Sequence, residues 1–477
     1  MSSWGRVKRT LPGGTRTSSD LELILREAER IVSPSAEERE RLERVLGEAL
    51  RRVKESVKRL NLDAEVVAVG SSVRDTWLPN NNELDIFVLF PKGIGDKEVL
   101  GGLIIDIAKD AFGEYEQNYA EHPYVRVRYS DFEIDLVPAF KILPGERIVS
   151  AVDRTPLHNS YVKEKLKRPN DVRLLKAFLK SIDAYGAEER VGGFSGYVCE
   201  LLIINYGSFL KTIEEASKWG PRVYIDIEHH LTEEYAFSAF NGPLILIDPT
   251  DPRRNAAAAL TETQFNRFKV AARAFLKNPD IEFFTRGLGG EKGRVSAKQI
   301  EEQLSERRTR VLIIEISDLD LPRELLWSQA KRMARLLEEE LKANGFDPLW
   351  VSGWTDERNK IFVAMELPSL TLPTIERRQG PPVGSKEEIN FLKSYLNSGF
   401  GGPFIEGDRW YVYRRRRHSD VINLINELMN LKVPTLLRGA RFKTLTDREL
   451  LILDRDVLRW IYKEMRREEF FIRHLVG

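Results

Sequence analysis

Two acids, Glu83 and Asp85, stand at the mouth of the apolar run LDIFVLF, 13 and 15 residues after Gly70 in AEVVAVGSS. Side chains alternate sides along a strand, so residues i and i+2 share a face. Glu83 and Asp85 then point one way, and Leu84 and Ile86 point the other way into a core. A third acid, Asp135 in FEIDLVPAF, has the same setting between Ile134 and Leu136. An adjacent strand would bring the three carboxylates together. Carboxylates within a few ångströms repel one another unless a cation offsets their charge or some keep their protons. Oxygen ligands with no His or Cys nearby suit the hard ions Mg²⁺ or Mn²⁺. The plain alternative is a solvated strand edge. Glu133 shows its force, because it shares a face with Asp135 and spacing alone assigns it no metal.

The Gly-Ser pair shifts the balance. Gly70 permits a tight turn after the strand. The amides of Ser71 and Ser72 would then open a helix and receive phosphate oxygens. Arg74, one turn on, could add a charge-assisted bond. A lone Gly-Ser says little. Followed at this spacing by two acids, it points to phosphoryl or nucleotidyl transfer.

These residues need a scaffold to hold them. The chain has 477 residues, 31% charged and 42% hydrophobic, which suits two to four folded domains. No run approaches the roughly 18 apolar residues of a membrane span. No apolar leader follows Arg6, Lys8 and Arg9, so the cytoplasm is the expected compartment. The single Cys199, in SGYVCELLIINY, excludes an internal disulfide framework and a cysteine zinc site, and reads as buried and inert. Seventy-four basic against 73 acidic residues give a net charge of +1. That balance excludes a wholly basic protein but permits a basic patch beside an acidic site.

The expected architecture is α+β and multidomain. Residues 1–30 form an N-terminal extension, loosely ordered over 1–20. Residues 31–155 form a head with a small mixed sheet. Its first helix is capped by Ser35 with Glu38, its strands lie at 64–70 and 84–90, and a hairpin over 124–140 turns at Ser130-Asp131. Residues 156–290 read as a helical neck and central region, with Asn170 as a helix cap and Thr261 with Gln264 as a second capping box. Residues 291–417 read as an α/β body and tail. Strand 309–317, helix 321–345, PLWVSGW, KIFVAMEL, helix 385–397 and strand 408–417 run β-α-β-β-α-β, a ferredoxin-like order common in RNA-binding domains. Residues 418–477 read as closing helices. The strand RWYVYRRRR interleaves aromatic and basic residues, which favours an RNA backbone over a merely charged edge. Its Arg415 and Arg417 face away from Arg414 and Arg416, and the sequence leaves open which pair meets RNA.

GSSVRDTWLPNNNELDIFV resembles the nucleotidyltransferase signature of the DNA polymerase beta superfamily. EIDLVPAF, AVDRTPLHNSYV, DVRLLKAFLKSIDAYGAEERVGGFSGYVCELLI, DPTDPRRNAAAAL, RRQGPPV and GGPFIEGDRWYVYRRRR extend the likeness over nearly the whole chain, specifically to the archaeal, class I CCA-adding tRNA nucleotidyltransferases. The resemblance implies a head, neck, body and tail that build the 3′-terminal CCA of tRNA from CTP and ATP without a nucleic-acid template. It implies a two-ion Mg²⁺ site, with Mn²⁺ as a substitute, on Glu83, Asp85 and Asp135. It places Gly70, Ser71 and Arg74 at the triphosphate, and Thr155, His158, Lys176 and Tyr185 around the incoming nucleotide. Arg254 matches the arginine that helps read the incoming base, with Arg253 leaving the register open by one. Read without the resemblance, His158 could equally be a structural hydrogen-bonder, Lys176 a snorkelling lysine and Tyr185 a helix-end packing residue. The N-terminal segment departs from the family pattern and bears on oligomerisation or anchoring; a homodimer is compatible with the sequence. A poly(A)-type terminal transferase would share the head, and a retired RNA-binding scaffold would have lost one of the three acids, all of which are present.

Overall fold

The alternation across residues 83–90 and 132–140 is realised as two parallel strands at the centre of a five-stranded sheet. The computed structural model describes residues 18–119, 123–142, 146, 148, 150, 152–288, 295–397 and 399–476. The chain divides into two units. One runs to Gly290 and includes the C-terminal residues from Glu469; the other is Glu291–Glu468.

In the first unit, β1 (Glu65–Val69), β2 (Glu83–Phe90), β3 (Glu116–Tyr119), β4 (Pro123–Tyr129) and β5 (Phe132–Phe140) form a sheet ordered β1-β2-β5-β4-β3. Leu84, Ile86, Val88, Ile134 and Leu136 are buried on one face. They share a core with residues of two helices. Those helices are α2 (Ala36–Arg59) and α3 (Lys97–Phe112); α1 (Ser18–Val32) precedes them in the chain, with Ala28 and Val32 in the core of the neck region instead. Ser35 and Glu38 make the expected reciprocal cap of α2, with Ser35 Oγ accepting from the Glu38 amide at 3.1 Å and the Ser35 amide donating back to the Glu38 carboxylate at 2.7 Å. The hairpin turns at Ser130-Asp131, with Ser130 at φ 56°. α1 falls within the expected extension and meets the reading of loose order over 1–20 only at residues 18–20; its Ala28 and Val32 are fully buried. Residues 1–17 of that segment lie outside the described residues.

The neck region contains α4 (Thr155–Lys165), α5 (Pro169–Ser181), α6 (Gly196–Tyr206), α7 (Phe209–Ala216), α8 (Glu233–Ala239), α9 (Glu262–Lys277) and α10 (Glu282–Thr285). Its core stacks phenylalanines, with Phe178 lying between 5.4 and 6.2 Å from Phe209, Phe268, Phe275, Phe283 and Phe284. The region is not purely helical. β6 (Val223–Ile225), β7 (Leu244–Asp248) and β8 (Asp251–Asn255) make a small sheet, because the five-residue run LILID is buried throughout and too short for a helix. Asn170 is not the cap of α5. Pro169 occupies the first turn, and Asn170 accepts from Arg173 at 2.5 Å. Thr261 caps α9, but Gln264 turns its amide to the Asp183 and Val191 carbonyls instead of completing a box.

The second unit begins with α11 (Ala297–Arg307). It contains β9 (Arg310–Ser317), α12 (Arg323–Ala343), β10 (Trp350–Thr355), β11 (Ile361–Leu367), β12 (Ile375–Pro382), α13 (Glu388–Tyr395), β13 (Phe404–Glu406), β14 (Arg409–Arg415), α14 (Val421–Leu431), β15 (Arg441–Thr446) and α15 (Arg455–Arg466). The β-α-β-β-α-β motif is present, but its last two elements differ from those expected. The sheet order is β10-β11-β9-β15, so α14 and β15 complete it. The expected helix and strand over 385–417 belong to a separate three-stranded sheet, β12-β14-β13, inserted between β11 and α14. Residues 418–477 are therefore not helices alone. β15 reads RFKTLT, whose polar alternation leaves only Leu445 buried, a weak strand signal. A last helix, α16 (Ile472–Val476), falls with the first unit and packs on α9. No described helix is long and apolar enough to cross a membrane.

Candidate active site

The parallel register of β2 and β5 pairs Glu83 with Glu133 and Asp85 with Asp135. The acids thus line the sheet face opposite the core. β1 runs antiparallel to β2 with Val69 against Asp85, so the chain leaves β1 directly beside that carboxylate. Gly70 is required there twice over. Its φ is +87°, and a Cβ would collide with Asp85 Oδ2. Burial, followed by the charges of Asp135 and Glu83, pushes the Asp85 pKa up to about 6, against the partial relief of Arg74 and Arg126.

Arg126 was not singled out by the sequence reading. It faces Asp135 across β4 and β5, donating from Nε to Oδ1 at 2.7 Å and from Nη2 to Oδ2 at 2.9 Å. Among the described residues, no three acidic, His or Cys side chains converge as a ready-made metal cage. The donor chemistry nevertheless fits a hard divalent ion: oxygen-only ligands, a carboxylate destabilised by its neighbours, and a glycine that leaves that carboxylate room. A cation at Asp135 has to share or displace the Arg126 fork.

The Gly-Ser turn differs from expectation. No helix opens at Ser71. Residues 71–75 form successive turns, closed by Arg74 N–H to the Gly70 carbonyl at 3.3 Å and Thr76 N–H to the Ser71 carbonyl at 3.0 Å. The loop is clamped from below. Arg39 holds Asp75 at 2.5 Å, and the fully buried Arg173 bonds Asp75 and the Trp77 carbonyl. Arg74 turns its fork to Glu200 at 2.9 Å and Asn159 at 3.5 Å. The Thr76 hydroxyl donates to the same Glu200 oxygen at 2.6 Å, and Lys176 Nζ donates to the Thr76 carbonyl at 2.8 Å. Lys176 is therefore buried inside a polar network and does not snorkel; burial lowers its pKa against the pull of Glu200. Glu200 was missed, although a lone acid in the apolar helix GYVCELLI was a signal. Its neighbour Cys199 is buried as expected, and burial pushes the thiol up to about 12.

Tyr185 is close to Lys176. A Cβ on Gly196 would lie 3.2 Å from the Tyr185 hydroxyl and 3.5 Å from Lys176 Nζ, so that glycine admits both to the start of α6. Thr155 is the first residue of α4, one turn before His158. Asp153 fastens this helix to the end of β5 by accepting from the Phe140 and Ser150 amides at 2.8 and 2.7 Å. His158 Nε2 lies 2.8 Å from Asp248 Oδ2, and its ring stacks on Tyr197 at 4.0 Å. Tyr197 and Arg254 also bond Asp248, at 3.2 and 2.8 Å. Burial alone would raise the Asp248 pKa, but His158, the Thr250 amide and Arg254 outweigh it and hold the carboxylate below its usual range. Burial holds the His158 pKa low despite Asp248. Arg253 leans away to Asp251 at 3.0 Å and is largely exposed. The residues thus gather as an acid group around Gly70, a buried Arg74–Glu200–Lys176 group beside Tyr185, and a His158–Asp248–Arg254 group. Asp248 ends the apolar strand LILID, where a buried strand-end acid ahead of a turn was its only sequence mark.

In the second unit, Glu376 takes both Arg414, at 2.6 Å, and Arg416, at 2.9 Å. Arg415 and Arg417 are exposed, Arg417 with Glu427 as its partner. Tyr411 and Tyr413 stack on Phe404 at 5.9 and 5.4 Å, and Arg377 lies 4.0 Å over Tyr411.

A parallel carboxylate-bearing strand pair and a glycine turn packed on one of the acids place the chain among the nucleotidyltransferases. The nucleotidyltransferase domain family matches residues 50–158; the tRNA nucleotidyltransferase second-domain family matches 170–285, and the CCA-adding enzyme C-terminal domain family matches 307–436. The chain is 36% identical over 407 residues to the CCA-adding enzyme of Pyrobaculum islandicum, covering 84% of this chain and 92% of that protein. It is 40% identical over 386 residues to that of Methanopyrus kandleri, covering 77% and 79%. For Methanocaldococcus jannaschii the figures are 36% over 424 residues, 86% and 91%. The chain belongs to the CCA-adding enzyme family.

Proposed function

We propose that the carboxylate face of β2 and β5 adds and repairs the 3′-terminal CCA of tRNA, from CTP and ATP and without a template. The 3′-hydroxyl of tRNA attacks the α-phosphorus in line. Its oxygen releases its proton to solvent water and bonds to phosphorus, the bond to the β-phosphate bridge breaks, and pyrophosphate leaves. Glu83, Asp85 and Asp135 would hold two divalent ions, Mg²⁺ with Mn²⁺ as a substitute. When bound, such ions lower the pKa of the attacking hydroxyl and offset the triphosphate charge. Gly70 and Ser71 bring the turn close to the triphosphate. Glu200 sets the direction of Arg74, and Lys176 and Tyr185 pack the floor behind it. Thr155 and His158 flank the nucleotide from α4. Asp248 grips one end of the Arg254 guanidinium, leaving the remaining donors to a base edge, which favours Arg254 over Arg253 as the reading residue. The exposed arginines of the 408–417 region meet tRNA phosphates, and the cytoplasm is where the reaction runs.

The observation that carries this reading is the register that sets Asp85 against Asp135, beside Gly70. It is tested with Asp135→Asn in the full chain. Single-turnover CMP addition to tRNA lacking its CCA should fall by about a thousandfold or more, a loss of some 4 kcal/mol in transition-state stabilisation, while tRNA affinity is unchanged. A near-normal rate removes Asp135 from the site.

A further inference from the structure

Asp135 is the carboxylate of the three that already has a cation on both oxygens. The two-residue turn at Ser130-Asp131 fixes the β4–β5 register and sets Arg126 opposite Asp135. Its fork closes on Asp135 at 2.7 and 2.9 Å, and Nη1 reaches Glu133 Oε2 at 3.3 Å. A bidentate guanidinium takes a lone pair on each carboxylate oxygen, and those are the atoms an ion would use. The Arg126 side chain keeps 28% of its surface exposed. Val125 and Val127 anchor β4 on the core face, so the guanidinium can swing without unpacking the sheet. Glu133, on the same face, offers it a second carboxylate.

We propose that Arg126 is a resident counter-cation: it neutralises Asp135 in the free enzyme, keeps bare divalent ions off, and yields Asp135 to an ion that arrives with a nucleoside triphosphate, shifting towards Glu133. The proposal rests on Asp135 being a metal ligand. Arg126 is then a positioning residue acting through Asp135, and Glu133 has a task that is not ligation. Loading of the ion becomes tied to loading of the nucleotide, because only the complex brings enough interaction to take the carboxylate from the fork. Arg126 relieves part of the mutual repulsion of the acids in the free site without an ion bound unproductively.

The test is Mn²⁺ binding to the full chain without tRNA, read as the loss of the free Mn²⁺ signal by electron paramagnetic resonance, with and without CTP. In the absence of CTP, Arg126→Gln should bind Mn²⁺ on the order of tenfold more tightly or better, the effect of removing a unit positive charge several ångströms from a divalent ion even at near-aqueous screening. With CTP present, the two proteins should converge. Arg126→Lys keeps the charge and the fold-supporting stem but loses the fork, and should show a smaller gain. Unchanged or weaker Mn²⁺ affinity in Arg126→Gln, or no gain in Arg126→Lys should Arg126→Gln not fold, overturns the proposal. Asp135→Asn separates the two readings. If it abolishes the site while the Arg126 variants gain nothing, the metal reading stands and the Arg126 role falls. If Mn²⁺ binding in the presence of CTP is indifferent to Asp135→Asn, the metal reading itself falls.

Discussion

Replacing Asp85 by asparagine should kill transfer and strengthen the head. Asp85 is held up to about 6 from an ordinary 3.8, first by burial and then by Asp135 and Glu83. A raised carboxylate pKa means that the folded state keeps a proton the unfolded chain has already released. Below about pH 4 both states are protonated and there is no penalty. Between about 4 and 6 the penalty grows, and above 6 it is complete, at up to about 3 kcal/mol for a shift of this size. The amide introduced by Asp85→Asn carries no charge at any pH and escapes it. Hydrogen exchange of the β2 and β5 amides in EDTA reads the local effect without requiring the whole two-unit chain to unfold as one. At pH 7.5, protection in Asp85→Asn should exceed wild type by up to about a hundredfold; at pH 4 the two should match. Equal protection at both values, or a variant weaker at pH 7.5, would falsify the claim that clustered carboxylates strain this face. Added Mg²⁺ should close the gap at pH 7.5 by stabilising the wild type alone.

Arg254→Ala should reduce discrimination among CTP, UTP and ATP by roughly 10–100-fold, in keeping with about 1–3 kcal/mol for a directed guanidinium–base contact. Incorporation at each position checks it, and a selective effect of Arg253→Ala alone would move the reading residue by one. In the second unit, Arg415→Ala with Arg417→Ala should weaken tRNA binding and lower its salt slope by roughly 1–2, with CTP affinity untouched. Arg414→Ala with Arg416→Ala strips Glu376 of both partners. That pair should instead destabilise the β12–β14–β13 sheet by about 1–3 kcal/mol in a melt. An unchanged salt slope in the exposed pair would make this strand a structural element.

The acid face was legible because period-2 alternation depends on the strand alone, and Leu84, Ile86, Ile134 and Leu136 are buried as it requires. Gly70 was legible for the same local reason. Arg126 was within reach but unread: a two-residue turn at 130–131 forces residue 126 opposite 135. Glu200 and Asp248 are buried acids whose partners come from distant segments, and spacing cannot name such partners. The turn at Ser71 resisted because tertiary clamps on Asp75, from Arg39 and Arg173, override the local tendency to begin a helix. The ferredoxin-like order was read correctly as a pattern and assigned to the wrong final elements. Strand periodicity marks RWYVYRR as a strand but not the sheet that receives it, and RFKTLT hid its strand among polar residues.

The most direct measurement is the 3′-end sequence of tRNA lacking its CCA after incubation with the full chain, Mg²⁺, and CTP or ATP singly and together. CTP alone should add two residues and stop, and the two nucleotides together should give CCA with no further extension. A homopolymeric tail, or tRNA left unextended by both nucleotides together, would contradict the account.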